Sequence, residues 1–425
     1  MAEYRIEGGV PVHGSIQASG NKNAALPCIA AALLTSEPVT LRNIPNIADT
    51  AVMLDAVRAL GAKVERLGAH EWRIEASGAI RSEVPRELAQ HIRASILFAG
   101  PLLARTGAAR LPPPGGDVIG RRRLDTHFLA LTELGASAVT NGTHSFRAAK
   151  LCGADIFLDE ASVTATENAL MAAARAEGQT VLTNAASEPH VQDLCRLLNE
   201  MGADISGIGS NVLRINGAAE LHGADFAVGT DYMEIGSFIG LAAATRGSVT
   251  ISGANPRDMR PIQTAFRKLG IRWSMNGTTL TVPEEQELKV NSDRGGMIPK
   301  IDDAPWPGFP PDLTSIMTVV ATQVDGTVLI HEKMFESRMF FVDRLIGMGA
   351  RVTLCDPHRA VVSGPCVLHG EYSISPDVRA GMALVIASLA AEGESVISNV
   401  YQVERGYENL AERLQNLGAR ITRTE

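Results

Sequence analysis

The chain is 425 residues long, carries a formal net charge of −8, and is 45% hydrophobic with only 4% aromatics. Such a length predicts two or three globular domains, and the acidic balance excludes a general nucleic-acid-binding surface. The five cysteines, Cys28, Cys152, Cys195, Cys355 and Cys366, are odd in number and show no CxxC spacing, which speaks against a disulfide framework or a zinc site and for a reducing compartment. The N-terminal segment has no apolar signal core and no run of about 18 apolar residues follows, so a cytoplasmic protein without a membrane span is expected.

In chain order, the first predicted helix is "NAALPCIAAALLT", apolar almost all round and therefore buried on every side. It leads into a strand, "EPVTLRNI", then an amphipathic helix, "ADTAVMLDAVRAL", then Leu60-Gly61-Ala62 and a β-rich run, "AKVERL". This series returns. The Leu-Gly-Ala mark or a near variant recurs with its glycine at 135, 202, 270, 349 and 418, at intervals of 67 to 79 residues. The small-residue helix returns as "ATENALMAAARAE" and "AGMALVIASLAAE", the strand as "GQTVLTNA", "GSVTISGA", "GTVLIHEK" and "GESVISNV", and the amphipathic helix as "PHVQDLCRLLNEM" and "ENLAERLQNL". Each unit is thus predicted as helix, strand, helix, strand, with further short strands between units. The marked glycine fits a helix C′ position, where a left-handed residue ends the helix. Six units fit two α/β domains of three units each, with buried helices inside, amphipathic helices outside and sheets around them. A doubly wound dinucleotide fold is disfavoured, because no GxGxxG follows the first strand.

Two segments carry possible chemistry. In "SGNKNAALP", Lys22 precedes an apolar helix in a Gly/Asn-rich turn. That is either a surface lysine near a helix cap or an anion site, since helix N-termini and lysines both favour phosphate and carboxylate. In "RLPPPGGDVIGRRRLDTH", Arg110 to His127, prolines stiffen the chain, glycines free it, and Asp117 precedes Arg121, Arg122 and Arg123. A run of this kind alone is equally a solvated face.

Together with "IRAS" (Ile92–Ser95), "SVTATEN" (Ser162–Asn168), "DYMEIGSF" (Asp231–Phe238), "GFPPDLTS" (Gly308–Ser315), "MFESRM" (Met334–Met339), "PDVRAG" (Pro376–Gly381) and "VERGYENL" (Val403–Leu410), these segments make nine motifs in order. From end to end the chain resembles the UDP-N-acetylglucosamine enolpyruvyl transferases (1-carboxyvinyltransferases), which open peptidoglycan synthesis. The resemblance implies two inside-out α/β domains of three repeated units. One would span 22–229 with a lid loop near 112–123. The other would combine 1–21 with 230–425, with hinges near Asn21 and Gly229.

The activity implied by this resemblance is transfer of the enolpyruvyl group of phosphoenolpyruvate to the 3-hydroxyl of UDP-N-acetylglucosamine, with release of phosphate. Phosphoenolpyruvate is a co-substrate, and no cofactor, metal, nucleic acid or membrane is implied. Buried anions need cations. Lys22, Arg93, Arg122 and Arg405 match family positions around phosphoenolpyruvate, and Arg338 and Arg379 match further anion-facing or interdomain positions. Asp312 matches the position that contacts the sugar hydroxyl, as a base or as a cap of the following helix. Asn23 matches a position near the reacting centre. Arg123, Leu124, Asp125, Ser162, Val163, Thr164 and Asp377 match positions on the nucleotide side, while Arg121 is expected to be only solvated.

Three departures from the family pattern stand out. Arg123 replaces a proline of many relatives, and Glu160 replaces a lysine. Both border the uracil and diphosphate region, where an acceptor change to a uridine monophosphate, as in nucleoside-antibiotic enzymes, would show. A UDP-sugar-binding regulatory paralogue is the other alternative, and the intact set Lys22, Arg122, Asp312 and Arg405 speaks against it. Asp117 stands where most of the family has a cysteine, the proton donor and the atom alkylated by fosfomycin. Aspartate cannot form that thioether, so fosfomycin resistance is implied. An ordinary aspartate has a pKa near 3.9 and a cysteine near 8.5. Asp117 is therefore expected to donate its proton only once the loop has closed over phosphoenolpyruvate.

Overall fold

The six marked glycines end helices. Gly61, Gly135, Gly202, Gly270, Gly349 and Gly418 have φ between 76° and 113°, a left-handed geometry that costs glycine little and other residues more. Each is followed by a short strand. In the computed structural model, which describes residues 2–117, 119–120 and 122–425, the chain divides into two units. Unit 1 comprises Met1–Ser19, Val118–Arg121 and Thr230–Glu425, and unit 2 comprises Gly20–Asp117 and Arg122–Gly229. Arg121, expected to be solvated, lies outside the described residues.

The repeat is fuller than the sequence suggests: strand, buried helix, strand, second helix, strand, strand. One copy in unit 2 runs through strand Asp155–Phe157, helix Val163–Ala173, strand Gln179–Thr183, helix Pro189–Glu200, and strands Asp204–Ser206 and Val212–Asn216. In the sheet the fourth strand lies between the second and the third. The first two strands are parallel, with Ile156 opposite Leu182, and the other pairings are antiparallel. Parallel neighbours need a crossover, and the buried helix supplies it.

Among the described residues there are six such sheets, three per unit. Four repeats depart from the scheme. His13–Gln17 supplies the first strand beside Ser248–Ser252, from much earlier in the chain. Ala224–Ala227 supplies the first strand beside Val39–Arg42, from much later in the chain. Glu3–Glu7 fills the fourth-strand place between Glu394–Ser398 and Arg420–Thr424, antiparallel to both. The sheet of Ala108–Leu111, His144–Arg147 and Ser137–Thr140 has three strands, and its first strand is reduced to a parallel bridge between Glu83 and Arg110.

The small-residue helices are buried as expected. Tyr232–Ala244 and Thr314–Ala321 are buried at every position and Val378–Ala390 at all but the last; in unit 1 these three pack on one another. Each unit has its own apolar core. The amphipathic helices divide. Met259–Lys268 buries only Met259, Ile262, Ala265 and Phe266, one stripe at helical spacing. Pro189–Glu200, expected outside, instead buries eight of its twelve residues, including His190 and Asp193, and packs against Lys22–Ala31 and Val163–Ala173. Asp193 is held by a partner inside its own unit, accepting from the Gly229 amide at 2.8 Å, so a polar position that reads as solvent-facing is an interior contact. No helix among the described residues is long and apolar enough to cross a membrane.

Candidate active site

Unit 2 carries the first group of site residues. Helix Lys22–Ala31 begins at Asn21, whose Oδ1 accepts from the Asn23 amide at 2.8 Å and the Ala24 amide at 3.2 Å. Lys22 therefore sits at the positive end of a helix. Its Nζ lies 2.5 Å from Oδ2 of Asp49, with the two side chains 12% and 4% exposed. Sequence reasoning missed Asp49. The only signal was an acidic residue in the first turn of an otherwise apolar-faced helix, Ala48–Leu60.

The Pro/Gly loop is fastened at both ends within this unit. The Gly115 amide donates to the Ala89 carbonyl at 3.1 Å, and a Cβ at Gly115 would lie 1.7 Å from the Gln90 carbonyl oxygen. Gly116 has φ 103° and would bring a Cβ within 2.8 Å of Arg93 Cβ. At the far end, Arg93 Nη2 donates to the carbonyls of Arg122 at 2.6 Å and Arg123 at 3.2 Å. Burial, and then the neighbouring Arg122, push the Arg93 pKa down to about 10, so it remains a cation at neutral pH. Asp117 and Arg122 are half-buried on this tethered loop.

Six of the seven residues expected on the nucleotide side gather at two helix starts. Ser162 caps helix Val163–Ala173, its Oγ accepting from the Ala165 amide at 3.4 Å. Leu124 precedes helix Asp125–Glu133. Arg123 pairs with Asp125, Nε to Oδ2 at 2.8 Å. This hydrogen bond, the Asp125 charge, and those of Asp159 and Glu160 raise its pKa. The two departures at 123 and 160 thus meet in one electrostatic neighbourhood. Sequence reasoning also missed His127, which is 1% exposed. Its Nε2 lies 3.0 Å from Thr164 Oγ1 and its Nδ1 2.9 Å from Asn168 Nδ2. Burial first, then Arg93 and His144, push its pKa down to about 3.

Unit 1 carries the second group. Asp312 lies in the short turn Pro311–Leu313. It does not cap the following helix; Leu313 holds that place, without a side-chain hydrogen bond. Its oxygens are taken by arginines instead. Arg338 Nη1 donates to Oδ1 at 3.0 Å and Arg379 Nε to Oδ2 at 2.9 Å, and both arginines are buried. Burial alone would raise the Asp312 pKa, but Arg379 and then Arg338 outweigh it and hold the carboxyl well below the usual range. Arg379 also donates to Tyr407 Oη at 3.1 Å, and Tyr407 meets Ser237 at 2.8 Å. The Arg338 guanidinium stacks over the Phe335 ring, 4.9 Å from its centre. Behind it, fully buried Glu332 has Oε2 4.0 Å from Arg338 Nε. Burial pushes Glu332 up to about 8, with Arg338 opposing and Asp303 adding. Asp377 caps helix Val378–Ala390 through the Arg379 and Ala380 amides, at 2.8 and 3.0 Å. Arg405 donates to Gln402 Oε1 at 2.9 Å.

Chemically, unit 2 offers a positive helix end with Lys22, the Arg93 guanidinium, and a loop that carries Arg122 and the Asp117 carboxylate. Unit 1 offers a carboxylate whose orientation two buried arginines fix. Among the described residues no cluster of His, Cys, Asp and Glu is arranged to hold a metal.

The family model described as EPSP synthase (3-phosphoshikimate 1-carboxyvinyltransferase) matches residues 6–414. The chain is 68% identical over 421 residues, 99% of both chains, to the UDP-N-acetylglucosamine 1-carboxyvinyltransferase of Treponema denticola. The chain belongs to the UDP-N-acetylglucosamine 1-carboxyvinyltransferase family. The family member from Treponema pallidum is 66% identical over the same span. Among solved structures, this carboxyvinyltransferase fold is similar to the enolpyruvyl transferase NikO from Streptomyces tendae, with TM-score 0.88 and 27% identity, covering 100% of this chain and 99% of that one. EPSP synthase from Acinetobacter baumannii, with TM-score 0.76 and 19% identity over the full length of both chains, shares the fold.

Proposed function

We propose that this protein transfers the enolpyruvyl group of phosphoenolpyruvate to the 3-hydroxyl of UDP-N-acetylglucosamine and releases phosphate, the first committed step of peptidoglycan precursor synthesis. The observation that carries this reading is 68% identity to a UDP-N-acetylglucosamine 1-carboxyvinyltransferase across 99% of both chains. The nucleoside-type alternative, raised by Arg123 and Glu160, is not favoured by relatives at this level of identity.

In this reading Lys22, Arg93, Arg122 and Arg405 neutralise the donor's phosphate and carboxylate, where an unpaired anion would be costly. Asn23 orients the reactants. Asp312 accepts the proton of the sugar hydroxyl as the oxygen bonds to C2 of the enolpyruvyl unit, and Asp117 gives a proton to its CH2 group. The tetrahedral adduct then returns that proton to Asp117, the C2–O bond to phosphate breaks, and the enol ether and phosphate leave, the proton held by Asp312 passing through solvent to the phosphate. Arg338 and Arg379 aim Asp312. A carboxylate held so far below its usual pKa is a weak base, so one of these hydrogen bonds must loosen as the hydroxyl arrives. Arg123, Leu124, Asp125, Ser162, Val163, Thr164 and Asp377 form the nucleotide side. Phosphoenolpyruvate is a co-substrate, and the reaction draws on no further cofactor. Five free cysteines support a reducing, cytoplasmic setting.

The test is phosphate release from phosphoenolpyruvate with UDP-N-acetylglucosamine or uridine monophosphate as acceptor. Turnover with the UDP-sugar and none with the monophosphate is expected. The reverse preference, or no turnover with either, defeats the proposal.

A further inference from the structure

We infer that His127 is a positioning residue, which fixes the Thr164 hydroxyl as a hydrogen-bond donor to the diphosphate of the nucleotide acceptor. This rests on the nucleotide-side assignment of Thr164 made above.

Asn168, two hydrogen bonds inward from Thr164, is fully buried. Its Oδ1 accepts from the Gly100 amide at 2.7 Å, and its Nδ2 donates to the Ile96 carbonyl at 2.9 Å. Both are main-chain groups with fixed roles, so the amide has one orientation. Its second N–H then points to His127 Nδ1 at 2.9 Å, which must be the unprotonated nitrogen. Burial, Arg93 and His144 all oppose a charged imidazole here, so the single ring proton sits on Nε2. That N–H donates to Thr164 Oγ1 at 3.0 Å.

A threonine hydroxyl has one proton. With its oxygen accepting from His127, that proton is directed elsewhere. Deeper in the same helix, Thr166 returns its proton to the Ser162 carbonyl four residues back, at 2.8 Å. Thr164 stands in the first turn, and its hydroxyl makes no other hydrogen bond among the described residues. It therefore stands half-exposed at the positive end of helix Val163–Ala173, with a proton available to an anion. The relay from Gly100 through Asn168 and His127 removes the alternative in which Thr164 turns its proton inward.

The test measures UDP-N-acetylglucosamine affinity by calorimetry, KM for phosphoenolpyruvate, and melting temperature in a set of variants. Thr164→Val and His127→Asn should each weaken UDP-sugar binding about tenfold, the usual effect of losing one hydrogen bond to a charged group. Asparagine can still accept from Asn168 but is too short to reach Thr164. His127→Gln reaches both and should restore most of the affinity, as should Thr164→Ser. In a Thr164→Val background, His127→Asn should add nothing, and KM for phosphoenolpyruvate should stay unchanged throughout. If Thr164→Val leaves UDP-sugar binding intact, the nucleotide-side assignment fails. If Thr164→Val weakens binding but His127→Asn does not, or adds its own loss in the double variant, the role of His127 fails. A fall in melting temperature without recovery of affinity in His127→Gln also overturns it.

Discussion

Lys22 and Asp49 form an ion pair with Nζ and Oδ2 2.5 Å apart, and the Asp49 carboxylate is all but sealed from solvent. An ammonium has three protons. Asp49 takes one and fixes the nitrogen; in the proposed site the others meet the anion of phosphoenolpyruvate. Asp49→Ala should therefore raise KM for phosphoenolpyruvate about tenfold, through the loss of a fixed charge-assisted donor. It should also destabilise the protein by about 2 kcal/mol, because a mostly buried charge loses its partner. Steady-state kinetics and urea unfolding check both, and an unchanged KM would remove Asp49 from the donor site.

Asp312 is clamped by two buried arginines, so the same logic applies with more at stake. Asp312→Asn keeps the shape and loses the proposed base, and kcat should fall by about two to four orders of magnitude. Because the folded pKa of Asp312 is depressed, its stabilising effect is complete above the unfolded value near 3.9. It is lost only as pH falls through the lower folded value. The pH–rate profile between pH 5 and 9 should accordingly show no limb that Asp312 variants abolish. A limb near pH 6 that vanishes in Asp312→Glu would contradict this.

Two buried groups should tilt stability with pH in opposite directions. His127 binds its proton only near pH 3 in the folded chain but near 6.5 when unfolded. Between those values the unfolded state holds more protons, so stability falls as pH drops below 6.5, by about 1.4 kcal/mol per unit for this group. Glu332 is the reverse. Its folded pKa is raised to about 8, so its contribution is full below about 4.3 and is lost as pH rises through 8. Urea unfolding from pH 5 to 9 should show His127→Gln flattening the acid side and Glu332→Gln flattening the alkaline side. Parallel curves for wild type and both variants would disprove the assignment.

Asp117 supplies a carboxylate where the family resemblance expects a thiol. The wild-type protein should resist time-dependent inactivation by fosfomycin, and Asp117→Cys should acquire it, with a covalent adduct at residue 117 visible by mass spectrometry. Asp117→Asn should lose at least about a hundredfold in kcat, the low end of what a general acid supplies. Full activity in the asparagine variant would exclude Asp117 as the proton donor.

Much of this architecture was legible in the sequence because glycine at a helix C′ position leaves a mark that side-chain chemistry does not blur. The six glycines gave the repeat, and the apolar helices gave the burial. The strand Ala224–Ala227 beside Val39–Arg42 was not legible, since pairing across almost the whole of unit 2 leaves no local pattern. Pro189–Glu200 misled because His190 and Asp193 look solvent-facing, whereas both are buried and Asp193 is satisfied by the Gly229 amide. In the candidate site, the charged residues of the family motifs were readable one by one. Their neutralising partners were not: Asp49 lies outside those motifs, and Arg338 and Arg379 clamp Asp312 across 26 and 67 residues of chain. The same is true of His127, which lies next to the arginine run yet bonds inward to Thr164 and Asn168.

Strand Glu3–Glu7 pairs on both sides with the two strands nearest the C-terminus, Glu394–Ser398 and Arg420–Thr424. During synthesis this strand is made long before its two neighbours and must wait for both of them. Unit 2 has all its own strands by residue 229 and can fold while the rest is still being translated. The order of maturation is therefore written into the topology: the loop-bearing unit is assembled early, and the unit that carries Asp312 closes only when Arg420–Thr424 meets Glu3–Glu7.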